Sequence, residues 1–251
     1  MNAMGYSASA VGNHEFDFGL DTIRLRSAQA DYAYVSANTH WRETSRVPED
    51  LGISAYRLDE AGGVRVGIIG LTTRETPSST NPVTVEPLRF LDYEQTLRAV
   101  VPVVEAQGAE LVFVVSHVCL DELEPLIESV ADLGIDLVGA GHCNELVAKR
   151  IGDTVLLGGG FHFTSYASAR FELSPAGDYS VSYATAANEG AAADADIAAI
   201  VERWNAGSEQ ALSEVLVYSA DAVPRGPALD QLVVESWLWA DASADVAITN
   251  A

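Results

Sequence analysis

The stretch Val11-Gly12-Asn13-His14-Glu15-Phe16-Asp17-Phe18-Gly19 decides how this chain is read. It places an amide, an imidazole and two carboxylates within a few residues, after a run of small side chains from Ser7 to Ala10. Such a density of metal-ligating and acid/base groups is uncommon outside functional sites. A loop is expected to carry it, and the plain alternative is a solvated helix-capping loop.

Outward from this stretch, apolar spacing predicts a helix over Leu20 to Gln29 and a strand over Tyr32 to Asn38. Two strands, Ser54 to Leu58 and Val64 to Leu71, flank Gly62-Gly63, a hairpin signal. Thr76 to Pro87 holds three prolines among Ser, Thr and Asn and reads as a loop. A helix is expected from Tyr93 to Gln107, kinked at Pro102 and closed by Gly108. Glu110 to Val115 is a buried strand that delivers Ser116-His117. Asp121 to Leu133 is helical, and Ile135 to Val138 is the strand that delivers Gly141-His142. Strand, helix and strand in alternation imply an α/β fold. Thr154 to Leu157, Ala169 to Leu173 and Tyr179 to Tyr183 are expected as closing strands. Gly158-Gly159-Gly160 lacks the Lys and Ser/Thr of a phosphate loop and suggests a bend or a close backbone approach. Beyond the alanine-rich linker at Ala184 to Ala193 come a helix over Asp194 to Asn205, a strand over Glu214 to Ser219, and a helix from Leu229. Trp204, Trp237 and Trp239 are expected to bury helical faces.

The 251 residues carry a net charge of −22, and Lys149 is the only lysine among 14 basic residues. A surface this acidic repels nucleic-acid polymers and anionic membranes, and it destabilises the compact state by self-repulsion unless salt screens it. A halophilic source is therefore expected, against the alternative of an acidic protein from an ordinary organism. The unfolding midpoint should rise between dilute and molar KCl, where the Debye length shrinks from roughly 30 Å to about 3 Å. A midpoint indifferent to salt would remove the halophilic reading. With 48% hydrophobic residues a sizeable core is possible, and no apolar run approaches the roughly 18 residues needed to span a bilayer. Met1 to Ala10 has neither the basic segment nor the apolar core of a signal peptide. Cys119 and Cys143 are too few for a disulfide scaffold.

Gly12 to Gly19 resembles the GNHEFD box of calcineurin-like metallophosphoesterases, in particular the 5′-nucleotidase and 2′,3′-cyclic phosphodiesterase family. Ser36-Ala37-Asn38, Gly70-Leu71-Thr72-Thr73, Ser116-His117 and Gly141-His142 resemble further boxes of that family, in family order. The resemblance implies that Asn13, His117 and His142 ligate a metal ion, that His14 contacts the phosphate and leaving oxygen, and that Asp17 orients His14. It implies a divalent metal such as zinc or manganese, at one site here and two in complete relatives, with a nucleotide or another phosphate ester as substrate. The fold it implies is an incomplete four-layer α/β/β/α sandwich over residues 1–183. A linker and interdomain helix over 184–212 and the beginning of a C-terminal nucleotidase domain over 213–251 would follow. Met1 to Tyr6 resembles the end of the helix that leads into the box, and the family's D-x-H and G-D motifs do not occur in the sequence. At the other end, Ala244 to Asn250 resembles the strand before a substrate-binding loop. The chain therefore reads as truncated at both ends.

Asn144 stands where the resemblance calls for a second histidine, a ligand of the other metal. Cys143 beside it is a possible compensating ligand, and the plainer view takes Cys119 and Cys143 as two small loop residues. The expected activity is metal-dependent hydrolysis of phosphate esters of nucleotides, impaired in this chain. The alternatives are a non-catalytic metal- or partner-binding remnant, or half of a split enzyme completed by a polypeptide carrying the absent motifs. Complete relatives are often extracytoplasmic, and the location of this chain is left open.

Overall fold

The computed structural model describes residues 1–173, 179–190, 192–215, 218, 221–241 and 243–247. The chain divides into two compact units, Met1–Ile197 and Ala198–Ala251.

In the first unit, strand β1 (Ala8–Ala10) enters the box, and helix α1 (Leu20–Ser27) leaves it. Short strands β2 (Ala33–Val35), β3 (Thr39–Trp41) and β4 (Ile53–Ser54) follow. Strands β5 (Tyr56–Ala61) and β6 (Val64–Thr72) form the expected hairpin. Its turn residues Gly62 and Gly63 have φ of 62° and 84°, the doubly positive geometry of a two-residue hairpin turn that matches strand twist.

The loop expected over Thr76 to Pro87 instead contains two one-turn helices, α2 (Thr76–Ser79) and α3 (Pro82–Val85). Proline is tolerated in a first helical turn because that turn's N–H groups have no intrahelical partner, and both helices carry one there. Asn81 caps α3 by accepting a bond from Val83 N at 3.0 Å. Strand β7 (Leu88–Phe90) then pairs antiparallel with β3.

Helix α4 (Tyr93–Ala106) starts at an Asp92 cap that accepts from Gln95 N at 3.1 Å, and it runs unbroken through Pro102. Strand β8 (Leu111–His117), helix α5 (Leu120–Ser129) and strand β9 (Leu137–Ala140) come next. Strands β10 (Leu146–Ile151) and β11 (Thr154–Gly159) form a hairpin, as do β12 (Ser165–Leu173) and β13 (Tyr179–Ala187).

Six strands form the main sheet in the order β10-β11-β9-β8-β6-β5, with β11, β9, β8 and β6 mutually parallel and an antiparallel strand at each edge. A second, three-stranded parallel sheet runs β1-β2-β4. A parallel-rich sheet with crossover helices confirms the α/β class. Tyr93, Leu97, Val101 and Val104 of α4 and Leu123, Leu126 and Ile127 of α5 bury against Val112, Val114, Val138 and Leu156 of the main sheet. Burying one such side chain contributes about 1.5–3 kcal/mol. Val11, Phe16, Ile23, Leu51, Ile53 and Leu88 form a smaller core around the second sheet. The two sheets meet at Gly70, where a Cβ would lie 2.2 Å from the Val35 carbonyl and Ala37 N donates to Gly70 O at 2.8 Å.

Helix α6 (Ala195–Ala211) reaches into the second unit, which also holds α7 (Pro227–Ala240). Trp204, Trp237 and Trp239 are exposed there, at 67%, 47% and 87%, so they do not bury the helical faces expected of them. Of the strands expected over 214–219 and 244–250, the described residues 214, 215, 218 and 244–247 do not form strand, and the others lie outside the described residues. Among the described residues no helix is long and apolar enough to cross a membrane.

Candidate metal centre

Parallel strands deliver their C-terminal ends to one edge, where open α/β sheets place functional loops. The end of β6 lies beside the end of β8, with Thr72 opposite His117. A buried polar network ties these ends together. Asn38 Nδ2 donates to Thr72 O, and Thr72 N donates to Asn38 Oδ1, both at 2.8 Å. The Thr72 hydroxyl donates to Val11 O at 2.6 Å. Its single proton being thus used, Thr72 accepts from Ser36 Oγ at 2.7 Å, and Ser36 in turn accepts from Thr39 at 2.7 Å. All four side chains are fully buried. The network therefore fixes Val11, and with it the start of the box.

Within the box, Gly12 N donates to Glu15 Oε2 at 2.7 Å, and His14–Phe16 forms a single tight turn. Phe16 is buried edge-on against Phe90, ring centroids 5.9 Å apart, and this apolar anchor leaves the polar side chains free for other partners. The two carboxylates thus divide: Glu15 closes the loop, and Asp17 holds His14.

Asn13 is buried, and its Nδ2 donates to Ser79 O at 3.1 Å, which turns Oδ1 toward His117. His117 Nε2 lies 3.0 Å from Asn13 Oδ1 and 3.1 Å from His142 Nδ1. The two imidazole rings lie 4.9 Å apart, centroid to centroid. Burial, and then the charges of His142 and His14, push the His117 pKa down to about 4, so that ring is neutral at pH 7. Gly12 and Gly141 make room for it: a Cβ on Gly12 would lie 3.0 Å from the His117 ring, and one on Gly141 would lie 2.8 Å from Ser116 O and 3.3 Å from His117 Cα.

His14 Nδ1 lies 2.8 Å from Asp17 Oδ2, and Thr80 Oγ1 donates to Asp17 Oδ1 at 2.6 Å. The Thr80 hydroxyl, then His14, hold the Asp17 carboxyl below its usual range. An ionised Asp17 fixes the proton on His14 Nδ1 and leaves Nε2 facing outward. His14 borders a cleft of about 470 Å³ lined also by Phe18, Arg26 and Tyr34.

The structure therefore brings Asn13, His117 and His142 into one cluster and pairs His14 with Asp17. It departs from expectation at Cys143, whose Sγ is bonded to Cys119 Sγ. Neither sulfur offers a thiolate to a metal, because both are spent in that bond. Asn144 is exposed with φ of 59°, a left-handed backbone that asparagine tolerates. His40 bonds Ser45 O and Ala37 O, a structural role, and His162 packs on Phe161. Gly158 makes the close approach expected of the glycine run, its Cβ position lying 2.6 Å from Glu145 O. Among the described residues no group of three or more His, Cys, Asp or Glu side chains is placed to hold a metal ion, so a cation at this cluster would need the amide of Asn13 as a third donor. Sequence reasoning missed Ser79 and Thr80, although the hydroxyl-rich run that supplies them was visible.

No family model matches the chain. The chain is 31% identical over 118 residues to a 5′-nucleotidase of Vibrio vulnificus, covering 47% of this chain and 21% of the relative. It is 33% identical over 147 residues to a snake venom 5′-nucleotidase of Gloydius brevicauda, covering 57% and 24%. These matched stretches span less than a quarter of the curated relatives' own length. Among solved structures, a calcineurin-like phosphoesterase from Bacillus subtilis shares the fold with a TM-score of 0.74 at 17% identity, over 85% of this chain and 74% of that one. These likenesses support the resemblance to calcineurin-like phosphoesterases of the 5′-nucleotidase type.

Proposed function

We propose that this chain, a relative of part of the 5′-nucleotidases, is a metal-dependent phosphoesterase module acting on phosphate esters of nucleotides. The observation that carries the reading is the meeting of Asn13 Oδ1, His117 Nε2 and His142 Nδ1, from three segments far apart in sequence, at separations of 3.0 and 3.1 Å. The donor types fit a small divalent cation, and the two separations are somewhat shorter than the about 3.4 Å between ligand atoms held about 2.1 Å from zinc in a tetrahedron, so the donors would spread slightly to admit it. Imidazole nitrogen and amide oxygen suit zinc or manganese. A cation held there supplies Lewis acidity to a phosphoryl oxygen. His14, fixed by Asp17, presents Nε2 to the leaving oxygen and, when protonated, delivers its proton there. The cleft beside His14 has the volume of a small-molecule site.

The donor set is neutral throughout, without a carboxylate to bridge a second cation, and Asn144 adds no imidazole. Turnover by the chain alone is therefore expected to be low. The same observation favours a second reading, in which the chain binds metal or a partner without catalysis, or receives its carboxylate ligands from another polypeptide. On the first reading, residues 213–251 belong to the beginning of a C-terminal nucleotidase domain, after a linker and interdomain helix over 184–212.

The test is hydrolysis of adenosine 5′-monophosphate and bis(p-nitrophenyl) phosphate by the purified chain in molar KCl with Mn²⁺ or Zn²⁺, beside a His117→Ala control. Activity lost on substitution supports the first reading. No activity with His117-dependent metal binding supports the second, and neither activity nor binding removes both. Gly12→Ala offers an independent check, since its methyl must displace the His117 ring or the Glu15 carboxylate. We expect about tenfold weaker Mn²⁺ binding by calorimetry, the scale of effects from residues that orient ligands.

A further inference from the structure

We infer that the Cys119–Cys143 disulfide positions the His117 and His142 imidazoles, so that reduction of this one bond opens the cation site while the fold persists. The inference rests on the proposed cation site and adds to it a redox control. His117 ends β8 and Cys119 follows two residues later; His142 follows β9 and Cys143 is the next residue. The bond thus joins the loops after two neighbouring parallel strands, at a Cα–Cα distance of 5.2 Å. Such a cross-link restricts the loops much as a strand pairing would, but beyond the last residue pair of the ladder, Val115 with Gly139.

The second loop needs restraint. His142, just before Cys143, has φ of 67°, a region that residues with a Cβ seldom occupy. Other ties here include Gly141 N to Val118 O at 3.1 Å, Leu120 N to Glu145 Oε2 at 3.0 Å and the His117 Nε2–His142 Nδ1 contact at 3.1 Å, while Cys143 N donates to Gly141 O at 2.8 Å within the second loop. The Cys143 N to Gly141 O bond closes the turn at His142 but lies within the second loop, so the disulfide is the covalent tie that fixes this turn against the end of β8. The adjoining strands and the α4–α5 core do not involve either sulfur, so the sheet does not depend on the bond.

The disulfide is also reachable: Cys143 is exposed and Cys119 partly so. Exposed disulfides are the ones that exchange readily. A dithiol reductant attacks one sulfur through its thiolate, a mixed disulfide forms, and the second thiol of the reductant displaces it. Two electrons and two protons pass to the protein sulfurs, giving two cysteine thiols, and the reductant leaves as its cyclic disulfide.

The experiment measures Mn²⁺ binding by calorimetry to the oxidised chain, to the chain reduced by a dithiol then desalted anaerobically, and to a Cys119→Ser, Cys143→Ser double variant. Proton NMR of the imidazoles without metal runs alongside. Reduction is expected to weaken Mn²⁺ binding about 10- to 100-fold, the range seen when groups that orient ligands are removed. It should also abolish the cross-peak between the His117 and His142 rings while amide dispersion elsewhere persists, and reoxidation should restore both. If the double variant does not fold, the reduced and reoxidised wild-type chain decides. Equal Mn²⁺ affinity with an unchanged ring contact overturns the inference and leaves the cation site standing. Collapse of amide dispersion on reduction overturns it too, since the bond would then be a general support. Absence of His117-dependent binding in the oxidised chain overturns the site reading and this inference together.

Discussion

Replacing Asn38 by alanine is expected to lower the stability of the first unit by about 3 kcal/mol, read as an earlier urea midpoint at unchanged slope. The argument starts from what the side chain does. Asn38 is fully buried, and its amide pairs in both directions with the backbone of Thr72, donating to the carbonyl and accepting from the N–H at 2.8 Å each. Alanine removes the amide and leaves two backbone groups buried without these partners. Each buried orphan costs about 1–3 kcal/mol, and the vacated volume adds to this unless water enters. Against a typical total of about 5–15 kcal/mol the loss is large. The ion pairs of Arg98 with Glu94 and Asp132 are of similar length, at 2.8 and 2.9 Å. They stand in solvent, however, so Arg98→Ala should matter much less. A loss below about 1 kcal/mol for Asn38→Ala would mean that water replaces the amide and that the network is not the seam between the sheets.

The legible parts of this fold are those where one physical signal dominates. Leu111 to Val115 is apolar throughout because β8 lies in the interior of a parallel sheet, and the same signal located His117 at its end. Gly62-Gly63 announced the β5–β6 hairpin because only glycine takes two positive φ values in succession without cost. Strand β10 was not anticipated: it is an edge strand whose Lys149 and Arg150 break the apolar pattern, as charges on sheet edges commonly do. The small residues Ala8–Ala10 likewise gave no strand signal, and β1 forms through its register with β2. At the site, the family resemblance implied the trio and the His14–Asp17 pair, whereas its supports come from tertiary pairing. Nothing in local sequence says that Ser79 will receive the Asn13 amide, or that Cys119 and Cys143, 24 residues apart, will meet.

His117→Ala is expected to weaken Mn²⁺ binding at least 100-fold, which is about 2.7 kcal/mol or more, while His14→Ala changes it less than about threefold. The contrast follows from placement. His117 Nε2 is the atom that both other donors approach, so its loss leaves Asn13 and His142 without a common partner and, on the proposed reading, removes one of three ligands. His14 is engaged with Asp17, and Asp17 with Thr80, so that pair hangs together without the trio. Its loss should lower turnover on esters with poor leaving groups, where proton delivery limits the rate, by roughly 10²- to 10⁴-fold. Esters with good leaving groups, such as p-nitrophenyl phosphates, should be affected far less. The partly buried His117 ring also fills space, so thermal midpoints must accompany the titration; a His117→Gln variant keeps most of the volume and an amide donor. If His117→Gln retained full affinity, the site would tolerate an amide in place of imidazole. If His14→Ala and His117→Ala lost affinity equally, the division into a cation-holding trio and a proton-handling pair would fail, and the five side chains would have to be treated as a single coupled unit.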